Sequence, residues 1–428
     1  MNRLKLIYFI FISTLSCQLF SQLTTIPDSN FEQALIELGF DTGSPNGTVP
    51  TENIENVTLL DITDKNISDL TGVEDFTALD HLKCSYNHLN TLDVSQNINL
   101  VQLECDHNFL SMIEFENNIN LVNLFCSYNE LEKLDLCNNV NLKRLQCDYN
   151  QIDSLYISNS IELWLLNCAY NNLTELDVSN NAQLKYLDFS INDITDINLS
   201  ENGLLWYLDC SANNLTNIDV SNNFSLEEFN CAYNNLSSLD ISNNIDLWHL
   251  GCSYNQLSYL DVSLNSQLRS LNCRFNNLHC LNVKNGNNIN FWGYLTPTFD
   301  ARNNENLGCI EVDDAFWSGA NWSDLVDSQA YFSIDCFQDC TTINGDVQRL
   351  PEISVYPNPT ERNISIDLGL MTIKTTVIIT NIFGQTILRQ EVGPTERVDI
   401  EITGSPGVYL LCIESCSGQN EIIKIIKK

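Results

Sequence analysis

Positive charge is the scarcest commodity in this 428-residue chain, with 20 Lys and Arg against 55 Asp and Glu. The formal net charge is −35. A surface that acidic repels phosphate backbones and anionic lipid, which argues against nucleic-acid or membrane-surface partners. The imbalance sits in the middle of the chain: residues 1–22 carry only Arg3 and Lys5, and residues 351–428 carry seven bases and nine acids. Long apolar runs are also missing. Past the first segment no run of 18 apolar residues occurs, so no transmembrane helix is expected. The five histidines (His81, His88, His107, His249 and His279) show no HExxH-like spacing, and there is no GxSxG elbow or phosphate-cradling glycine loop. These absences argue against an enzyme, and no cofactor or metal is called for. Apolar residues make up 43% of the chain, too many for a disordered polymer and enough for two or three folded units.

Arg3 and Lys5 precede the apolar stretch Leu6 to Leu15, and small and polar residues follow up to Gln22. This reads as a signal peptide over residues 1–22, too short to span a bilayer, with cleavage after Ser21 leaving Gln22 first. A lipoprotein signal through Thr14-Leu15-Ser16-Cys17 is the alternative, with Thr14 where such signals prefer Leu.

The dominant feature is a 21-residue period. Cys84, Cys105, Cys126, Cys147, Cys168, Cys210, Cys231, Cys252 and Cys273 fall on it, with Phe189 in the one gap. Three residues after each stands Asn: Asn87, Asn108, Asn129, Asn150, Asn171, Asn192, Asn213, Asn234, Asn255 and Asn276. The unit L-x-x-L-x-C-x-x-N-x-L-x-x-L-D-V-S-x-N-x-x covers residues 79–288, preceded by a divergent 22-residue unit at Leu60, Ile62, Lys65, Ile67 and Leu70. A period this short specifies a solenoid whose coils bury their faces only against one another. L-x-C predicts a short strand with Leu and Cys inward. Stacked strands form one parallel sheet, and the Asn column forms a hydrogen-bonded ladder at its edge. The L-D-V-S-x-N return arm is too polar and too short for a helix.

These motifs resemble the leucine-rich repeat family in its short-repeat bacterial form, with internalins as distant relatives. The resemblance covers residues 57–288 and implies a strand face used for protein recognition; the Cys-rich strand position departs from the family pattern. Residues 23–56 read as a helical N-cap, with Ser29-Asn30-Phe31-Glu32 as a capping box and Phe31, Ala34, Leu35 and Leu38 on one apolar face. Residues 289–340, with Trp292, Trp317 and Trp322, read as a C-cap; Gly308–Asp314 followed by Asn321-Trp322 is similar to the cap after such repeats in Bacteroidota proteins. Export permits disulfides. Cys309–Cys336 is the first expected pair and Cys280–Cys340 the second, although connectivity is not readable from sequence. After a linker at 341–350, alternating runs at Asn363–Leu368, Thr375–Thr380, Thr386–Glu391, Arg397–Ile402, Val408–Cys412 and Glu421–Ile426 predict a small Ig-like β-sandwich. Its Tyr356-Pro357-Asn358-Pro359 opening, Asn381–Gln385 turn, Gly407-Val408-Tyr409 strand and Lys427-Lys428 ending resemble the C-terminal sorting domain of type IX secretion substrates. That resemblance covers residues 351–428 and implies contact with the secretion machinery, export, and release or anchoring at the cell surface.

Candidate site residues follow from the period. The Cys column reads as packing, because ligands one per coil do not converge on a metal. The Asp column (Asp93, Asp135, Asp177, Asp219, Asp240, Asp261, with Glu114) reads as Asx capping of the return turn, with Ca²⁺ as the alternative. Before each Asn stands Tyr86, His107, Tyr128, Tyr149, Tyr170, Ile191, Ala212, Tyr233, Tyr254 or Phe275, and Trp164, Trp206 and Trp248 recur every 42 residues. With the outward strand residues Phe125, Tyr207 and His249, these rings are the candidate partner-binding positions. Rings stacked only to shield the strand ends are the alternative. The remaining outward positions include Lys83, Glu104, Gln146, Asn167, Asp188, Asp209, Asn230, Asn272 and Arg274. The expectation is thus a mainly β solenoid of 21-residue coils, monomeric and non-enzymatic, binding a protein partner. A glycan stacked on the Tyr/Trp stripe, or a passive surface spacer, are the other readings.

Overall fold

The computed structural model describes residues 22–291, 298–336, 354–367, 375–381, 385–392, 397–415 and 420–428. The expected signal peptide, the 341–350 linker, Trp292, Cys340 and the centre of the 381–385 turn lie outside them. The chain divides into two compact units, Met1–Asp339 and Cys340–Lys428.

In the first unit the repeat becomes a β-solenoid. Twelve three-residue or shorter strands, from Leu59–Asp61 to Phe299–Asp300, stack in one parallel sheet. Register is kept coil to coil, with Leu82 opposite Leu103, Leu103 opposite Leu124 and Leu187 opposite Leu208. The reason is period-2 alternation: the middle strand residue and the following Cys point inward, so a one-residue slip would expose both. All nine column cysteines and Phe189 are fully buried. Burial raises the thiol pKa of every column cysteine, so they remain protonated, apolar packing atoms rather than thiolates.

The asparagine column carries the hydrogen bonds its position demands. Asn150 and Asn171 are adjacent rungs, both donating Nδ2–H to the Cys147 carbonyl, at 3.1 and 3.0 Å. Each Oδ1 accepts a backbone N–H from the preceding coil, as Asn171 does from Ile152 at 2.9 Å. A second asparagine column lies deeper: Asn97, Asn118, Asn139, Asn181, Asn202, Asn223, Asn244 and Asn265 are fully buried, with Ser160 as one rung. Each of the Asn181 to Asn265 rungs donates twice to backbone carbonyls, as Asn202 does to Val178 and Asn181, both at 3.0 Å. Their Oδ1 atoms have no protein donor among the described residues.

The return arm differs from expectation. It contains no helix, but six of its segments pair as short parallel strands: Thr91–Asp93 with Met112–Glu114, Lys133–Asp135 with Ser154–Tyr156, and Tyr259–Asp261 with Cys280–Asn282. The close coil spacing that stacks the main sheet brings these backbones into pairing range as well. The Asp column makes Asx turns: Asp93, Asp177, Asp219, Asp240 and Asp261 accept the backbone N–H two residues on, at 2.9 Å.

The N-terminal helix spans Ser29–Glu37, and two details correct the sequence reading. Asp28, not Ser29, is the N-cap, accepting from the Asn30 and Phe31 amides at 2.8 and 3.1 Å. Its other oxygen takes the Ser68 and Asp69 amides, which ties the helix to the first coil. Glu32 therefore does not close a capping box but binds the Asn46 and Gly47 amides. Phe31, Ala34 and Leu35 are buried, whereas Leu38 is exposed because the helix has ended there. At the other end Phe299–Asp300 joins the main sheet, and Cys309–Glu311 and Tyr331–Ser333 extend a return-arm sheet. The helix Ala315–Trp322, capped by Asp314, presses Trp322 onto Phe299 at 4.2 Å between ring centroids. Cys309 and Cys336 form a disulfide, and Cys280 is disulfide-bonded as well.

The second unit holds two antiparallel sheets: Ser354–Tyr356, Asn363–Asp367 and Arg397–Glu401 in one, and Thr386–Val392, Thr375–Asn381, Gly407–Ser415 and Asn420–Lys427 in the other. Ile364, Ile366 and Ile400 of the first pack against Ile379, Leu411 and Ile413 of the second in one core, making a β-sandwich.

Candidate recognition surface on the strand face

The turn after each strand is bent the same way in all ten coils. Tyr86, His107, Tyr128, Tyr149, Tyr170, Ile191, Ala212, Tyr233, Tyr254 and Phe275 have φ between 52° and 58°. That left-handed conformation costs a non-glycine residue roughly 1–2 kcal/mol. It throws the side chain out at the sheet edge, where coil spacing brings successive rings face to face. Tyr86, His107, Tyr128, Tyr149 and Tyr170 form one unbroken stack with centroids 4.0–4.3 Å apart. Tyr233, Tyr254 and Phe275 form a second stack, at 4.1 and 4.3 Å. Each ring pair returns about 0.5–1.5 kcal/mol, which offsets the strain rung by rung. The stripe expected from sequence is thus two ladders separated by Ile191 and Ala212. Within each ladder the faces are covered by neighbouring rings, so edges and phenol oxygens are presented. The hydrogen bond with Tyr149 raises the pKa of Tyr170, and desolvation with the hydrogen bond to Tyr233 raises that of Tyr254.

The other candidates divide into separate groups on the sheet. The Arg144 guanidinium lies 5.4 Å from the rings of both Phe125 and Trp164, joining them. Trp206 stands edge-on to Tyr207 at 5.9 Å. Trp248 lies 5.8 Å from the ring of His249. The three tryptophans do not meet, because Lys185 and Glu227 occupy the intervening rungs of that column. Lys83 pairs with Glu104 at 3.0 Å, and Arg274 reaches Asp300 at 4.0 Å.

Sequence reading passed over one group. Tyr186 lies directly beside Tyr207, rings 4.2 Å apart and 4° from parallel, with Trp206 edge-on to it as well. Tyr186 stands 21 residues before Tyr207, at the same strand position. Next to the two rings, Asp188 lies beside Asp209. Burial, and then the Asp209 charge, push the Asp188 carboxyl up to about 6, opposed by hydrogen bonds from Ser190. Burial lowers the His249 pKa, so its ring is neutral at neutral pH. Among the described residues no Lys or Arg pairs with Asp188 or Asp209, and no three His, Cys, Asp or Glu side chains converge as metal ligands would.

Comparison with known proteins places this geometry. Residues 354–428 match the family described as the secretion system C-terminal sorting domain. A 71-residue stretch is 38% identical to Internalin J of Listeria monocytogenes serotype 4b (strain F2365), a match covering 17% of this chain and only 8% of that protein. The functional domain of InlJ from Listeria monocytogenes, whose structure is described as including a cysteine ladder, aligns over 95% of this chain and 99% of its own, at 23% identity and a TM-score of 0.53. An internalin (inlF) from the same species aligns over 72% of this chain and 91% of its own, at 20% identity and a TM-score of 0.57. The first unit therefore has the internalin-like leucine-rich repeat fold. The chain as a whole is a leucine-rich repeat solenoid joined to a type IX secretion sorting domain, and that domain directs it to export, for secretion or attachment at the cell surface. Among the described residues no helix is long and apolar enough to cross a membrane.

Proposed function

We propose that the strand face of the solenoid is a protein-recognition surface, used by the exported protein for adhesion or cell-surface interaction. The observation that carries this is the condition of the aromatic edge. Tyr128, Tyr149 and Tyr170 cover one another's faces at 4.0–4.2 Å, yet each keeps more than a third of its surface exposed. A sugar ring binds aromatics by lying on a free face, and a closed stack offers few. Ring edges and phenol oxygens, with the separate Phe125–Arg144–Trp164 group on the same face, are the amphipathic anchors that protein interfaces favour. The surface is open rather than enclosed, and the column thiols are buried beneath it and protonated, which fits binding rather than catalysis. In this reading residues 1–21 are removed on export, residues 351–428 are removed or used at the outer membrane, and the solenoid acts as a monomer between its caps at 23–56 and 289–340.

The test compares the purified solenoid with its Tyr149→Ala and Tyr170→Ala variants on a glycan array and against surface proteins of cells it meets. Protein capture weakened by either change supports the reading. Sugar binding lost with the same changes would replace it with a glycan module, and no binding to either class would leave a spacer.

A further inference from the structure

Two adjacent coils differ from the rest at both edges of the sheet at once. At the edge where chains enter the strands, Ile98, Ile119, Val140 and Ile161 form a row, each 46–61% exposed, and Phe224 and Ile245 resume it. Between them the row drops to Ala182 and Gly203. At the opposite edge the ring ladder drops to Ile191 and then Ala212 in the same two coils. The strands between these low points are Tyr186–Asp188 and Tyr207–Asp209, with Ile161, Tyr170, Phe224 and Tyr233 standing at the four corners. Tyr233 is 52% exposed, close to the 55% of Tyr86 at the free end of the other ladder, since no ring covers it at Ala212. The floor is the parallel Tyr186–Tyr207 pair, with Trp206 edge-on to both rings, and the two carboxylates, which accept from Ser190, Ser211 and Asn230 but from no cation among the described residues.

The rest of the sheet shows what such a floor takes. Asp300 is held by Arg302 through two hydrogen bonds at 2.9 and 2.6 Å, and Arg274, 5.5 and 5.8 Å from the rings of Tyr254 and Phe275, reaches it at 4.0 Å. Arg144 lies between Phe125 and Trp164. In the position of Arg274, one coil before Asp209, stands Ser190, which donates to Asp188; Tyr170 keeps the place of Tyr254, Ile191 replaces Phe275, and the carboxylates are present without a guanidinium. A planar cation complements ring edges and apolar posts beside a carboxylate pair, in a chain of net charge −35. We propose that residues 182–233 form a docking saddle crossing the sheet, for an extended segment of a partner protein that supplies an arginine to Asp188 and Asp209. The proposal rests on the strand face being the recognition surface.

The experiment pans a phage-displayed library of random peptides against the full chain and measures recovered peptides on variants. Expected are arginine-containing peptides whose affinity falls by about tenfold or more with Asp188→Asn/Asp209→Asn together and with Ala212→Tyr, which restores the missing ring. Ser190→Arg, which supplies the guanidinium from the chain itself, should block them equally. Asp177→Asn on the return arm should change nothing. Thermal melts check that each variant folds. Peptides lacking arginine, or unaffected by the saddle changes but lost with Arg144→Ala or Tyr128→Ala, overturn the saddle and leave the strand face standing. Peptides blind to every strand-face change, or no recovered peptide, overturn the saddle, and the former counts against the strand face too.

Discussion

In the coil at residues 163–183 the interior holds Cys168 and the turn holds Tyr170; one coil later the same places hold Phe189 and Ile191, and in the next Cys210 and Ala212. The hydrogen bonding beneath them does not change. Asn171, Asn192 and Asn213 each accept one backbone amide at 2.9–3.0 Å and donate to the carbonyls of two coils. The middle coils thus share their skeleton with their neighbours and differ in what they show to solvent. A solenoid constrains inward columns because each coil must complete the next, whereas outward columns are free to vary wherever a partner demands it.

Substitutions can break this comparison or sharpen it. The largest expected effect is equal on both sides: Asn171→Ala and Asn213→Ala each strand one buried backbone amide and several carbonyls, costing about 3 kcal/mol by urea unfolding. A clear difference between the two would show that the middle coils are not built on the same skeleton. Next, Phe189→Cys restores the column chemistry but leaves a void where a fully buried ring was; a loss of about 2–3 kcal/mol is expected. If the change is neutral, the coil was never repacked around the ring.

Asp188 distinguishes the middle coils by pH. Its carboxyl titrates near 6 when folded, against an ordinary value of 3.8. The folded chain therefore holds this proton more tightly, and the stability it contributes is complete below about pH 4 and lost as pH rises through about 6. Asp188→Asn should raise stability by on the order of 1–2 kcal/mol at neutral pH and leave it unchanged near pH 4. Urea midpoints on either side of pH 6 decide it. The smallest effect belongs to Ala212→Gly. Ala212 bears the left-handed strain without a ring contact to offset it, so relief less the chain entropy of glycine should gain about 0.5 kcal/mol. Tyr149→Gly should instead lose stability, because its strain is already offset by two stacked neighbours.

The columns were legible where one residue type repeats. The Cys and Asn columns recur at fixed spacing, and inward packing and Asn capping tolerate few alternatives, so their roles could be assigned coil by coil. Other features depend on contacts that repetition does not encode. Ser29 and Asp28 are both plausible caps on paper; Asp28 acts because its second oxygen also meets the Ser68 and Asp69 amides, 40 and 41 residues away. The S-x-N asparagines were visible as a motif, but their complete burial arises from coil stacking. Tyr186 shares the strand position of Tyr207, but that column holds Gln102, Asn123, Arg144, Leu165, Glu228 and Ser270 in other coils, so no repeated ring type marks it. The exposed isoleucine row was missed because isoleucine at a short-period position looks like core.

The amino-acid sequence by itself determined the repeat, the inward and outward columns and the sorting tail, because a strict period and a set of ordered motifs need no distant contact to be read. Which outward residues meet was decided only by the stacked coils. Residues 21 apart become neighbours about 4–5 Å away when the coils pile up in register. That spacing turns a row of tyrosines into a closed stack, splits it at Ile191 and Ala212, and sets Asp188 beside Asp209 with no cation to answer them.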